Sequence, residues 1–99
     1  MNDYSNILVT GGSGLLGETL KPLLKHAWFP THKELDVETY WKIPWYISTG
    51  NRKIDTIVHL AAFTSPPRVD GDPVEAIVTN IIGTSNTVTA CINLGIYLI

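Results

Sequence analysis

The sequence contains only one cysteine and few charged residues, and it lacks both a long apolar run and a basic patch. Cys91 alone can form neither an internal disulfide nor a cysteine-based metal cluster. No apolar stretch approaches the ~20 residues that span a bilayer, and the first residues do not resemble a signal peptide. The formal net charge of −2 gives no electrostatic reason to expect nucleic acid. We therefore expect no metal, no nucleic-acid partner, no membrane partner and a cytoplasmic location.

The sequence is rich in apolar residues, which make up 44% of its 99 residues. A chain of this length and composition is expected to form one domain with a buried core. Its last residues, GIYLI at 95–99, form an apolar, β-prone run with no turn after it. We therefore expect residues 1–99 to form one domain that is truncated within its fourth strand.

Apolar spacing predicts an alternation of strands and helices along the chain. The predicted strands cover residues 6–10, 27–29, 54–60 and 96–99. Helices are predicted after the glycines near residue 15, in broken form over 37–49, and from Pro73 to a stop at Gly95, with Asp72 as cap. The predicted apolar face of the last helix comprises Val74, Ile77, Val78, Ile81, Ile82, Val88, Cys91 and Ile92. This alternation predicts an α/β fold, a Rossmann-type doubly wound parallel sheet.

A glycine motif joins the first predicted strand to the first helix. Gly12, Gly14 and Gly17 match the dinucleotide fingerprint, and Gly11, Gly14 and Gly17 match its wider-spaced form. Such glycines permit a tight turn and let the backbone approach a pyrophosphate. A P-loop reading fails because Glu18 occupies the position of the required lysine. The motif therefore predicts a dinucleotide site.

Polar residues beyond the second predicted strand bear on the choice of cofactor. Asp36 follows the glycine motif by about the 20 residues at which an acid that binds the ribose 2′-hydroxyl is expected. It lies beyond the predicted end of the second strand, however. Thr31, His32 and Lys33 at that end suit a 2′-phosphate better, because they offer hydroxyl and cationic groups. We therefore favour NADP(H) and keep NAD(H) as an alternative. The competing interpretation is that His32 and Lys33 are solvated loop residues.

Four segments together resemble the extended short-chain dehydrogenase/reductases, the NAD-dependent epimerase/dehydratase superfamily, and within it the dTDP-4-dehydrorhamnose reductases. They read ILVTGGSGLLG at 7–17, ELDV at 34–37, IVHLAAFT at 57–64 and NIIGT at 80–84. The resemblance implies that Gly11, Ser13, Gly14, Leu15, Leu16 and Gly17 hold the pyrophosphate. It implies that Asp36 and Val37 lie against the adenine, and that Ala61, Ala62 and Thr64 line the ribose and nicotinamide side. Asn80 matches an organising asparagine, or is simply a polar helix residue.

The sequence departs from the family in lacking the catalytic Tyr-x-x-x-Lys and the preceding Ser/Thr, so no catalytic residue is assigned. The resemblance implies the NAD(P)-binding portion of a nucleotide-sugar oxidoreductase, a reductase or a sugar epimerase/dehydratase. Its substrate would bind through a C-terminal region, and a homodimer is a further expected partner. The alternative is a non-catalytic NAD(P)-binding regulatory subunit of the same superfamily. We expect His59 to be structural and Cys91 to be inert core.

Overall fold

The computed structural model describes residues 3–12, 14–61 and 73–99. Its described elements alternate along the chain in the order β1, α1, α2, β2, α3, β3. The strands are β1 (Ile7–Thr10), β2 (Thr56–His59) and β3 (Tyr97–Leu98). The helices are α1 (Leu15–Leu20), α2 (Lys42–Thr49) and α3 (Pro73–Leu94). The predicted cap Asp72 lies outside the described residues.

The strands form one parallel sheet in the order β1-β2-β3. On the other edge of β1, Trp28 forms an isolated parallel bridge with Leu8, through the Val9 N–H and the Trp28 N–H. The chain therefore leaves β1 on one side and returns as β2 on the other. This parallel arrangement confirms the predicted Rossmann-type class. The second strand predicted at 27–29 is reduced to this one bridge, which Trp28 reinforces by stacking on Tyr46 of α2 with ring centroids 4.5 Å apart.

Two prolines bear on the bounds of the first two helices. α1 ends at Leu20, and Lys21 after it still has helical backbone angles and donates its N–H to the Gly17 carbonyl at 3.0 Å. Pro22 has no N–H with which to continue this ladder. The predicted helix over 37–49 begins only at Lys42. Pro44 then falls in its first turn, where the missing N–H has no intrahelical partner to lose. α2 thereby places Ile43 in the core, beside Leu8 and Ile57 of the strands.

α3 has the predicted bounds at Pro73 and Leu94, but its predicted buried face is wrong. The buried residues are mostly small: Ala76, Gly83, Thr87, Ala90 and Cys91. Of the predicted apolar face only Cys91 is buried; the exposed members are Val74, Ile77, Val78, Ile81, Ile82, Val88 and Ile92. The physical reason is that α3 lies very close to Val37, since a Cβ atom on Gly83 would lie 2.9 Å from Val37 Cγ2. Large side chains do not fit on that side of the helix.

Candidate dinucleotide site

The turn that follows β1 is built around the backbone of Gly11. This residue adopts a φ of +69°, in the left-handed region that favours glycine. A Cβ atom there would lie 2.6 Å from the Ala61 nitrogen and 2.7 Å from the Leu60 carbonyl carbon. The segments that follow β1 and β2 therefore pack backbone against backbone at Gly11. Gly11 satisfies both the conformation and the lack of space.

The remaining motif glycines have different roles. Gly17 is buried where α1 crosses the turn, and its Cβ would come within 2.5 Å of Gly12 Cα. Gly14 begins α1 with a φ of −76°, and its N–H donates to the Gly11 carbonyl at 3.1 Å. The nearest atom to a Cβ on Gly14 is that same carbonyl oxygen at 3.5 Å. Packing therefore requires glycine at Gly17, whereas a Cβ on Gly14 would make only an ordinary van der Waals contact with the described residues.

The exposed start of α1 completes this side of the site. Leu15 is 89% exposed and Leu16 is 58% exposed, so neither belongs to the described core. The predicted site residues Ser13, Ala62 and Thr64 lie outside the described residues. The structure therefore brings together the described members of the glycine turn and Ala61, at the point where strand order reverses. Open α/β sheets bind ligands at such a point.

A second predicted group follows Trp28 along the edge of the sheet. Phe29 packs on the glycine turn, where a Cβ on Gly12 would lie 2.7 Å from Phe29 Cδ2. Thr31 follows three residues after Trp28, the residue that bridges β1. The Thr31 N–H donates to Glu34 Oε1 at 2.9 Å, and the Glu34 N–H donates to Thr31 Oγ1 at 3.2 Å. These bonds lower the pKa of Glu34 and fix the turn that carries His32 and Lys33, both exposed.

Asp36 and Val37 lie beyond that turn and differ in exposure. The Asp36 carboxylate accepts the Glu38 N–H at 3.0 Å and lies 3.6 Å from His32 Nε2. The Val37 side chain is only 4% exposed, and the Val37 carbonyl accepts the Asn86 amide at 2.9 Å. Val37 can therefore offer a ligand little more than its backbone. His32, Asp36 and Glu38 also bring ligand atoms within 4.8 Å of one another, a spacing that exposed groups often adopt without a cation.

Sequence reasoning missed Thr10, which joins the two strand ends. The Leu60 N–H and the Ala61 N–H donate to Thr10 Oγ1 at 3.1 and 3.3 Å. The same oxygen lies 2.8 Å from His59 Nδ1, and burial lowers the pKa of His59. The signal was available in the sequence, since Thr10 and His59 are polar residues that end two apolar strands. Their register in the parallel sheet, Thr10 opposite His59, required the structure.

These features define a class of protein. A parallel sheet whose strand order reverses beside a glycine turn is the architecture of a Rossmann-type dinucleotide-binding domain. A sequence profile of the polysaccharide biosynthesis protein family matches residues 36–99, and the chain belongs to this family. Over the described ranges, no helix is both long and apolar enough to cross a bilayer.

Individual relatives agree with the predicted resemblance. The UDP-N-acetylglucosamine 4,6-dehydratase (inverting) of Campylobacter jejuni is 27% identical over 117 residues, which cover 97% of this chain and 35% of the relative. A Methanocaldococcus jannaschii protein named as a membrane protein, MJ1061, is 34% identical over 105 residues, with 83% and 31% covered. The solved dTDP-4-dehydrorhamnose reductase from Bacillus anthracis, in complex with NADP, superposes with a TM-score of 0.77 at 25% identity, with 93% and 34% covered. The chain thus spans about a third of these proteins, and the predicted resemblance to nucleotide-sugar enzymes is confirmed.

Proposed function

We propose that this chain is the cofactor-binding part of a nucleotide-sugar oxidoreductase, a reductase or a dehydratase/epimerase, that uses NADP(H) in preference to NAD(H). The observation that carries the proposal is the backbone contact between Gly11 and Ala61 at the reversal of strand order. Among the described residues, the nearest atom to a Cβ on Gly14 is the Gly11 carbonyl oxygen at 3.5 Å, so no described side chain lies against the backbone that would approach a pyrophosphate. Relatives that act on nucleotide sugars support the substrate class.

The described residues divide the cofactor between two segments. In this proposal the turn formed by Gly11, Gly14 and Gly17 holds the pyrophosphate, with Ser13, Leu15 and Leu16 beside it. Asp36 offers its carboxylate and Val37 its backbone to the adenine. Ala61, Ala62 and Thr64 line the ribose and nicotinamide side. When bound, the nicotinamide supplies or accepts the hydride, and the chain's own residues position it.

The preference for NADP(H) is assigned to the turn at residues 31–34. The Glu34 carboxylate already occupies the Thr31 N–H, so that donor is not free for a phosphate. We therefore assign the 2′-phosphate contacts to Lys33, His32 and the Thr31 hydroxyl. The Thr31 oxygen accepts the Glu34 N–H, and its proton remains to be donated to a phosphate. The complex of the Bacillus anthracis relative with NADP supports this choice.

The chemistry itself is assigned to parts of the relatives that this chain does not span. The chain contains no Tyr-x-x-x-Lys, so in this proposal the catalytic tyrosine, the nucleotide-sugar pocket and the homodimer contacts are completed by further sequence. We propose that these 99 residues bind cofactor but do not catalyse on their own. No observation favours the alternative of a non-catalytic regulatory subunit.

The test is titration of the chain with NADPH and NADH, followed by nucleotide fluorescence, on the wild type and on Gly14→Ala. A Cβ on Gly14 has ordinary packing space, so the variant should melt within about 2 °C of wild type and yet bind NADPH at least about tenfold more weakly. Thr19→Ala is the control, because that exposed hydroxyl on α1 only caps the Leu15 carbonyl. Equal NADPH affinity in wild type and Gly14→Ala, or no saturable binding by wild type, would contradict the proposal.

A further inference from the structure

His59 contacts three threonine hydroxyls, and its protonation state can be worked out from their hydrogen bonds. His59 Nδ1 lies 2.8 Å from Thr10 Oγ1 and 3.5 Å from Thr87 Oγ1, while Nε2 lies 3.3 Å from Thr84 Oγ1. A hydroxyl carries one proton and two acceptor lone pairs, whereas a neutral imidazole carries one donor and one acceptor. The arrangement of protons in this cluster is therefore strongly restricted.

Thr10 fixes the direction of its bond to His59. Backbone N–H groups can only donate. The Ala61 N–H donates to Thr10 Oγ1 at 3.3 Å, and the Leu60 N–H is shared between Thr10 Oγ1 at 3.1 Å and the Thr10 carbonyl at 3.0 Å. Of the three groups around Thr10 Oγ1, His59 Nδ1 is the one that can accept, so it takes the Thr10 hydroxyl proton. The Thr87 proton is already donated to the Gly83 carbonyl at 2.7 Å, so Thr87 does not compete for Nδ1. His59 is consequently neutral, with its proton on Nε2 directed at Thr84.

We propose that His59 is a positioning residue of the cofactor site, which acts by accepting the Thr10 hydroxyl proton and so aiming both Thr10 lone pairs at the Leu60 and Ala61 amides. The inference rests on the proposed function, because Ala61 is the residue against which Gly11 makes its turn. Without an acceptor at Nδ1, the hydrogen bonds between Thr10 and the residues after β2 should weaken. The glycine turn, which packs on Ala61, should then be less well ordered.

Protonation of His59 opposes this arrangement. A proton on Nδ1 would point at the nearest oxygen, Thr10 Oγ1 at 2.8 Å, where it would compete with the two amides and leave the Thr10 hydroxyl without its acceptor. The Ala61 bond, the longer of the two amide bonds at 3.3 Å, is the one expected to be lost. The groups that contact the ring from β1 and α3 are hydroxyls, and the Ile99 carbonyl, just past β3, accepts the backbone N–H of His59 at 2.9 Å and not a ring proton. Burial lowers the pKa of His59, and no charged side chain in the described ranges contributes to the shift.

The first experiment measures the tautomer without any nucleotide. Long-range ¹H–¹⁵N correlation spectra of the ¹⁵N-histidine-labelled chain should show His59 with a bare Nδ1 and a protonated Nε2. Amide exchange at Ala61 should be about five- to tenfold faster in Thr10→Val than in wild type, and should stay near wild type in Thr10→Ser, which keeps the hydroxyl. A proton on Nδ1 at neutral pH, or equal Ala61 exchange in Thr10→Val and Thr10→Ser, would overturn the proposal even if the chain bound no cofactor.

The second experiment measures NADPH affinity between pH 8 and pH 5.5 in wild type, His59→Leu and His59→Asn. His59→Leu removes the acceptor and should bind about five- to tenfold more weakly at pH 8, whereas the amide oxygen of His59→Asn should restore part of that loss. His59→Asn leaves the 2′-phosphate and every other histidine in place, so the comparison isolates His59. Wild-type affinity should fall with pH more steeply than that of His59→Asn. Parallel profiles would show His59 to be a purely structural group.

Discussion

Gly11 lies so close to Ala61 that a Cβ atom on Gly11 would come within 2.6 Å of the Ala61 nitrogen. Two loop ends from β1 and β2 therefore pack backbone against backbone, with no side chain between them. The Thr10 hydroxyl oxygen joins the same two segments by accepting hydrogen bonds from the Leu60 and Ala61 amides. The glycine turn is thus a tertiary structure that needs both strands, and Gly11 should be harder to replace than Gly95, the other described glycine with a positive φ.

The first prediction compares two glycines with nearly equal backbone angles. Gly11 and Gly95 have φ values of +69° and +67°, but a Cβ on Gly95 would meet nothing within 4 Å. Gly95→Ala should cost only the left-handed strain, about 1–2 kcal/mol of unfolding free energy. Gly11→Ala should cost at least about 2 kcal/mol more, because it also clashes with backbone. Urea unfolding of both variants measures the difference, and equal losses would contradict the close contact.

The second prediction concerns Lys33 and the 2′-phosphate. Lys33→Gln should weaken NADPH binding about two- to fivefold, the range of an exposed ion pair, and should leave NADH binding unchanged. Lys53→Gln is the matched control, since Lys53 is an exposed lysine on the segment before β2. The Lys33 effect should shrink at 0.5 M salt, because screening weakens exposed charge pairs. Equal effects of Lys33→Gln on NADPH and NADH would remove Lys33 from the site.

The third prediction uses the only cysteine as a probe of folding. Cys91 is buried on α3, and burial raises the pKa of its thiol above the usual range. Less thiolate and restricted access should make alkylation by iodoacetamide at pH 8 at least about tenfold slower in the folded chain than in urea. Mass spectrometry at timed intervals measures both rates. Rapid labelling in buffer would show that α3 does not stay packed on the sheet.

The fourth prediction follows the pH dependence of stability. Burial lowers the folded-state pKa of His59, so the folded chain binds the proton less readily than the unfolded chain. The contribution to stability is therefore complete above the unfolded pKa, about 6.5, and is lost as the pH falls through the folded value. His59→Asn should flatten the unfolding free energy between pH 7 and pH 5, as measured by urea unfolding at each pH. Exposed Glu34, whose pKa is lowered, acts in the more acidic range.

The fifth prediction tests the close packing of α3 on the segment before α2. Gly83→Ala should destabilise the chain by about 1–3 kcal/mol, because its new methyl group meets Val37 Cγ2. The double variant Gly83→Ala/Val37→Ala should lose less than the sum of the two single losses, since the second change makes room for the first. Thermal melts of the four proteins in this cycle measure the coupling. Strict additivity would show that these residues do not touch.

Local sequence patterns were sufficient for the fold class and for the position of most elements. The apolar runs around Leu8 and Ile57 and the glycine motif predict a parallel sheet with a turn at its carboxyl edge, and the structure has both. Pro73 and Gly95 predict the bounds of α3 to within a residue. These features depend on backbone preferences that a few neighbouring residues determine.

The parts that could not be predicted depend on contacts between distant segments. The partnership of Thr10 with His59 requires the register of β1 on β2, which neither strand encodes alone. The spacing of the large apolar residues predicted the wrong buried side of α3. The side that packs near Val37 carries small residues, because there is no space for large ones. Burial of the Val37 side chain in the core also required the structure, and the placement of Val37 against the adenine stays a prediction.

The inward side of α3 is made of Ala76, Gly83, Thr87 and Ala90, while its bulky aliphatic residues face outward. In most amphipathic helices the large apolar residues are the ones that tolerate substitution least. On α3 we expect the reverse. In a saturation scan scored for folding of this chain, the conspicuous valines and isoleucines are the permissive positions. The inconspicuous alanines and the glycine are the restrictive ones, since each added methyl group there lifts the helix off the sheet. In this segment, the residues with the smallest side chains determine how the helix packs.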